Sequence, residues 1–318
     1  MKKIFFIMIF FLANLFANET VFQSVIKNVL LKDTQNAISS AKKLQQNITQ
    51  ENFKIFLKDW KRVEALYLAG EINYDYIDTP RFIDVFNNLK EDLNSQMRRV
   101  VNGTNDVKTA LFKNSFKTIN ALEFVIAQES LDDRSKEIIK EILSSIITNL
   151  QDIKGVYTNY LKNPKFKEKE EIAILVNVLV ATSYRLKEWR VGNPAGLSAK
   201  FKGDIKNERA EYFLTQNSFE AIKSILEAQS DIVNSKDFKN LYTYAKNSGS
   251  EIELNEVSNS IKIALDELNF LPKDDFTNGS YLFETVSKIH DLYYVTIIEK
   301  LGLKPEILDA DGDWFWSI

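Results

Sequence analysis

Thr49-Gln-Glu-Asn-Phe53-Lys-Ile-Phe56-Leu57-Lys-Asp-Trp60-Lys-Arg-Val-Glu64-Ala-Leu-Tyr67-Leu68-Ala-Gly70 decides how this chain folds. Phe53, Phe56, Leu57, Trp60, Glu64, Tyr67 and Leu68 recur every three or four positions, the spacing of one helical face. The helix is expected to open at Thr49 and to stop near Gly70. Working outward, Val21, Phe22, Val25, Ile26, Val29 and Leu30 repeat at the same period. Pro80 sits well in the first turn of a further helix. Gly103-Thr104 breaks the chain, and Thr104 is expected to cap a helix running to about Ser130. Ser130-Leu-Asp-Asp starts another that ends near Leu161, before Pro164. Helices follow at about 168–190, 207–233, 236–247, 255–269 and 279–301. The 10 Gly and 5 Pro fall between these runs, and no alternating strand pattern occurs. The class is all-α, with two antiparallel helical bundles at 18–163 and 164–318. Pro164 marks the expected seam.

The first residues bear on location. Lys2 and Lys3 precede an apolar run from Ile4 to Phe16, and Leu15-Phe16-Ala17 offers a cleavage point. That layout predicts a signal peptide over residues 1–17, since the run is shorter than the ~20 residues of a membrane span. The chain has no Cys, which excludes a lipid-anchored lipoprotein, disulfides and thiolate metal sites. The expectation is therefore a periplasmic protein with no membrane span after cleavage. Without Lys2 and Lys3 the 41 basic residues become 39 against 44 acidic ones, a net charge of −5. No nucleic-acid partner is expected of such a chain, because phosphate binding needs clustered positive charge.

His290 is the single histidine. No HExxH pair and no two-His metal site can form, and a Ser-His-Asp triad would have to use His290. Its setting, Val286-Ser-Lys-Ile-His-Asp-Leu-Tyr-Tyr, reads as an ordinary helix face.

Four segments carry a family resemblance. The first is Asp59-Trp60-Lys-Arg-Val-Glu64, followed by Gly70 and Ile77-Asp78. The second is Ile119-Asn120-Ala-Leu-Glu123-Phe-Val-Ile. The third is Leu186-Lys-Glu-Trp189-Arg-Val-Gly-Asn-Pro194-Ala-Gly196, then Glu211, Thr215 and Ser218. The fourth is Leu301-Gly-Leu with Asp309-Ala-Asp311-Gly-Asp313. In their order the sequence resembles the imelysin family of imelysin-like peptidases and iron-regulated envelope proteins. The resemblance implies an all-helical fold of two bundles, a pocket near their junction and a link to iron uptake. It also implies peptidase activity, for which the family was named. Asn120 stands where the family motif has His and Thr118 where it has Gly, so only Glu123 of the metal-binding pair is present.

The resemblance marks Trp60, Glu64, Asn120, Glu123, Pro194, Glu211 and Ser218 as ligand-binding. It marks Glu123, Asp309, Asp311 and Asp313 as metal ligands. The residues themselves leave alternatives. Asn120 and Glu123 share a helical face, which suits either a ligand-binding pair or an interhelical salt bridge to Lys or Arg. On spacing alone Trp60 reads as core and Glu64 as a surface charge. Asp309-Ala-Asp311-Gly-Asp313 lacks the glycine and glutamate positions of an EF-hand and reads as a solvated turn. Trp314 and Trp316 beside it suggest that this end docks on the body. The cofactor is not fixed by the sequence. Oxygen donors favour iron as Fe³⁺, Ca²⁺ or Mg²⁺ over Zn²⁺. Two functions remain: a non-catalytic binding protein working with envelope iron- or haem-uptake components, and a metal-dependent peptidase. A shared site requires Glu123 to meet at least one other matched segment.

Overall fold

The computed structural model of the chain describes residues 19–87 and 91–304. The quoted stretch forms the helix at its centre, packed on both Leu31–Gln46 and Ser218–Asn234. Thr49 adopts an extended conformation and its hydroxyl accepts from Asn52 N at 3.1 Å, capping helix α2, Gln50–Ala65. The helix stops at Ala65, short of Gly70. Gly70 instead lies in the separate turn Ala69–Ile72, where a Cβ would stand 2.9 Å from Ile77 Cα. The glycine marks a close backbone approach, not the helix end. Helix α1, Leu31–Gln46, precedes α2 and continues a π-helical turn, Ile26–Leu30, and the helical segment Val21–Val25.

The expected helix from Thr104 to Ser130 is replaced by several pieces. The helix Leu93–Asn102 ends before it; within it Val107–Ala110 is helical, Asn114–Lys117 is a 3₁₀ turn, and Ile119–Ile126 forms α3. The reason lies in the caps. Asp106 accepts from Thr109 N, and Thr118 accepts from Ala121 N, so each restarts a helix where propensity alone would continue one. Asp106, not Thr104, is the first of these caps.

Asp132 caps α4, Asp133–Lys162, through Ser135 N at 2.7 Å. The connection at residues 163–167 lies at the expected seam and leads into α5, Glu168–Arg185. A π-helical turn, Leu186–Gly192, extends α5. The chain leaves it at Gly196, whose φ of +67° and approach to the Asp204 carbonyl exclude a side chain. The helix expected at 207–233 begins only at Ser218: α6 is Ser218–Asn234. Before it, Tyr212 and Gln216 take φ values of +57° and +52°, which break helical geometry. After the short helix Leu241–Ser248 come α7, Glu251–Phe270, and α8, Ser280–Asp291, which runs on through a π-helical turn, Leu292–Ile297, to Lys300.

The fold is all-α, built from helical bundles. In one group α1 packs on α2 and on α4; in the other α6 packs on α7, and α7 on α8, which also contacts α5. Helix α2 also packs along α6, so it lies between the two groups. The buried side chains form one hydrophobic cluster reaching from Val21 to Ile298, with Trp60, Phe53, Phe56, Tyr157 and Tyr293 among its largest fully enclosed members. Among the described residues no helix is long and apolar enough to cross a membrane. Asp309, Asp311, Asp313, the expected docking of the C-terminal turn and the expected signal peptide at 1–17 lie outside the described residues.

Candidate functional site

The inward face of α2 carries a charge among its apolar residues. Leu57, Lys61 and Glu64 are spaced by four and three positions, so Lys61 falls on the buried stripe beside Trp60. Its side chain has no exposed surface. A buried ammonium demands partners, and Lys61 Nζ has three: Glu64 Oε2 at 2.6 Å, Asp84 Oδ2 at 2.8 Å and Glu211 Oε1 at 2.5 Å. The ring of Tyr212 lies 5.0 Å away. Arg190 closes the far side. Its Nε donates to Glu211 Oε2 at 2.7 Å, and its Nη2 to both Glu64 oxygens at 2.8 and 2.9 Å. Asp84 Oδ2 further accepts from Trp60 Nε1 at 3.0 Å and Tyr212 OH at 2.7 Å, and Oδ1 accepts from Phe86 N at 2.9 Å.

Local backbone departures aim these groups. Arg190 lies in the π-helical turn, whose extra residue per turn shifts the side chains that follow the regular helix. Tyr212 uses its left-handed φ at the point where Glu211 and its own hydroxyl enter the cluster. Helix α6 then starts with its first amides accepted by Asp274, from Ser218 N at 3.2 Å and Phe219 N at 2.7 Å.

The charges polarise one another. Burial alone would pull Lys61 down, but Asp84, Glu211 and Glu64 outweigh it and hold the ammonium above its usual value. Burial likewise opposes the charge on Glu64, yet Arg190 and Lys61 keep it below the ordinary glutamate range. Asp84 is held well below its usual value despite burial, chiefly by Lys61. Glu211 is pushed up, because burial and the nearby Asp84 and Glu64 outweigh Arg190 and Lys61. Two cations face three carboxylates, so the fully ionised cluster carries one excess negative charge, and Glu211 takes most of the strain.

Trp60, Glu64 and Glu211 of the sequence-predicted residues are therefore brought together through Asp84, Lys61 and Arg190. Glu64 is not the surface charge its spacing suggests; its side chain is 18% exposed and ion-paired. Asn120 borders the cluster: its carboxamide oxygen accepts from Val85 N at 2.7 Å, next to Asp84. Glu123, buried, accepts from Thr215 N at 3.0 Å and Thr215 Oγ1 at 2.9 Å. That contact joins the second matched segment to the third. Among the described residues Glu123 makes no salt bridge to Lys or Arg. Burial pushes its carboxyl up to about 7, with Thr215 opposing and Glu211 and Asp84 adding to the shift. Pro194 and Ser218 make no hydrogen bond to the cluster among the described residues; they shape backbone, with Pro194 O accepting from Lys206 N. His290 is a packed helix residue, 3.1 Å from Ser183 Oγ and stacked on Tyr294.

A cavity of about 290 Å³ opens over Glu64 and Asp84, walled by Tyr67, Phe86, Arg185 and Trp189 among others. Below it, one oxygen from each of Glu64, Asp84 and Glu211 lies within 4.8 Å of the others, a donor set suited to a hard cation. The residues present do not fit a metal ion there. Lys61 Nζ holds the common position, and Arg190 binds Glu211 Oε2 and both oxygens of Glu64. Lys61, Asp84, Arg190 and Tyr212 are the site residues that motif reading missed. For Lys61 a signal existed, a lysine inside an apolar stripe.

The family model described as Imelysin matches residues 27–273. No curated protein matches the chain. Among solved structures, an imelysin-like protein from Psychrobacter arcticum 273-4 is similar, with a TM-score of 0.70 at 14% identity over 89% of this chain and 95% of that one. At that identity the likeness is one of fold.

Proposed function

The chain belongs to the imelysin family, and on that premise we propose that it is a non-catalytic binding protein of the cell envelope serving iron or haem acquisition. The observation that carries the non-catalytic reading is the saturation of the cluster beneath the cavity. Every carboxylate there is paired with Lys61 or Arg190, so none stands ready as a general base. Asn120, in the place of the motif histidine, spends its oxygen on Val85 N. Binding is supported by the cavity itself, which sets aromatic walls such as Phe86 and Trp189 beside charged groups of both signs, among them Glu64, Asp84 and Arg185. Its volume of about 290 Å³ suits a small ligand better than a whole haem. Placement in the periplasm rests on the charged and apolar N-terminal stretch, and the iron link and uptake partners rest on the family.

The test pairs two measurements on the purified protein. Proteolysis should not exceed background with or without added divalent metal. Native mass spectrometry of protein isolated from iron-limited envelopes should show a small bound molecule that Trp189→Ala releases. Metal-dependent peptide turnover that Glu123→Gln abolishes would establish the peptidase instead.

A further inference from the structure

We infer that Lys61 serves as a tethered replacement for a metal ion, making the Glu64–Asp84–Glu211 trio a hard-cation site permanently filled by the protein's own ammonium. The argument rests on the cluster's geometry, not on the binding role proposed above.

The first element is position. Two oxygens that ligate one cation at ~2.3–2.6 Å can be no further apart than about twice that distance. The three carboxylate oxygens meet that condition, lying within 4.8 Å of one another. Lys61 Nζ sits among them at 2.6, 2.8 and 2.5 Å. These distances differ from calcium–oxygen bonds by only a few tenths of an ångström. Each of the three ammonium N–H donors finds one carboxylate, so the coordination of the tethered cation is complete.

The second element is charge. Three carboxylates with Lys61 and Arg190 leave a net charge of −1 when all are ionised. Exchange of the lysine charge for a divalent ion would bring the cluster to neutrality, whereas a trivalent ion would leave it positive. An emptied site should therefore prefer Ca²⁺ or Mn²⁺ to Fe³⁺. The third element is the surroundings. Tyr212 and Trp60 donate to Asp84, and Arg190 holds Glu211 Oε2 and both oxygens of Glu64, so the donors are oriented by groups other than Lys61. They stay aimed at the centre when the ammonium is removed.

The test compares the wild-type chain, Lys61→Met and Lys61→Arg, each stripped of metal and titrated with Ca²⁺, Mn²⁺ and Fe³⁺ by calorimetry. Methionine keeps the unbranched stem as far as Cε and lacks the ammonium; arginine keeps the charge. Lys61→Met should bind one Ca²⁺ or Mn²⁺ at least about tenfold more tightly than the wild type, and Lys61→Arg should show no gain. Should Lys61→Met not fold without metal, recovery of its helical signal on refolding with Mn²⁺ supports the assignment and no recovery overturns it. Equal affinity in Lys61→Met and wild type also overturns it, as does a stoichiometric wild-type metal that Glu211→Gln removes. Metal affinity is read separately from proteolysis and from small-molecule binding, so this assignment and the binding role can fail independently.

Discussion

Two buried carboxyl groups, Asp84 and Glu123, both bond to the segment 211–218 and are shifted in opposite directions. Both are nearly inaccessible, at 6% exposure each. Asp84 faces an ammonium and the donors of Trp60, Tyr212 and Phe86, and stays ionised well below its usual value. Among the described residues Glu123 accepts from the neutral donors of Thr215, with the negative Glu211 and Asp84 nearby, and is pushed by burial up to about 7. Burial opposes the charge equally in kind at both. A cation within reach reverses its effect, and two neutral hydrogen bonds do not. The comparison also separates the two corners by their partners: Asp84 already holds Lys61 as its cation, and Glu123 has no Lys or Arg beside it among the described residues.

The largest effect that breaks the comparison is expected from Asp84→Asn. The amide would direct N–H groups at Lys61, Trp60 or Tyr212 and leave a buried ammonium short of one counter-charge. Removing one partner of a buried ion pair costs about 3–5 kcal/mol, measurable as a lower urea midpoint at pH 7. The folded Asp84 value is depressed, so its contribution is present above the usual value of 3.8 and fades as pH falls through the depressed one. The deficit of Asp84→Asn should therefore shrink in acid. An unchanged midpoint at pH 7 would show that the pairing does not govern the site.

Glu123→Gln should give the opposite sign. The folded Glu123 value is raised from 4.5 to about 7, so the folded chain holds this proton more tightly. The stability it contributes is complete below the unfolded value and is lost as pH rises through the folded one. Across that window the loss amounts to roughly 3 kcal/mol for a buried group shifted this far. Glutamine keeps an oxygen for Thr215 and cannot ionise. The variant should match the wild type near pH 4.5, exceed it in stability at pH 8, and show a flatter pH profile between. A variant less stable than wild type at pH 8 would mean that Glu123 is ionised and compensated by a charge.

The two corners were unequally legible in the sequence. Trp60 and Glu64 lie on a periodic helix, so their element could be read, and Lys61 shows itself as a charge on an apolar stripe once the stripe is counted through position 61. Asp84 had no such signal, because it follows the short helix Thr79–Ile83 and is drawn in by contacts from α2 and residue 212. Arg190 sits at helical spacing, but the π-helical turn that aims it depends on tertiary packing. The delayed start of α6 was hidden for a related reason. Residues 210–217 include good helix formers, yet Glu211 and Tyr212 are worth more inside the cluster than in another helical turn. The breaks between Asn102 and Ile119 follow capping residues that were visible but were outweighed by propensity.

The smallest expected effect, and the sharpest probe of the neutral corner, belongs to Thr215→Val. Valine keeps the branched shape of threonine and removes only the hydroxyl, which donates to Glu123 Oε1 at 2.9 Å, while the backbone amide at 3.0 Å remains. At pH 5 the Glu123 carboxyl is protonated and the lost bond joins two neutral groups, so the cost should be about 1 kcal/mol. At pH 8.5 the same oxygen belongs to a carboxylate, and hydrogen bonds to charged groups are worth about 1.5–3 kcal/mol. The variant should therefore lose more stability in base than in acid, and the midpoint of Glu123 followed by ¹³C carboxyl NMR should move further upward. Equal losses at the two pH values, with an unmoved midpoint, would mean that the Thr215 hydroxyl does not hold the ionised form. The charge state of Glu123 would then be set by burial, the Thr215 amide and the nearby Glu211 and Asp84, and the contrast between the two corners would reduce to their distance from Lys61.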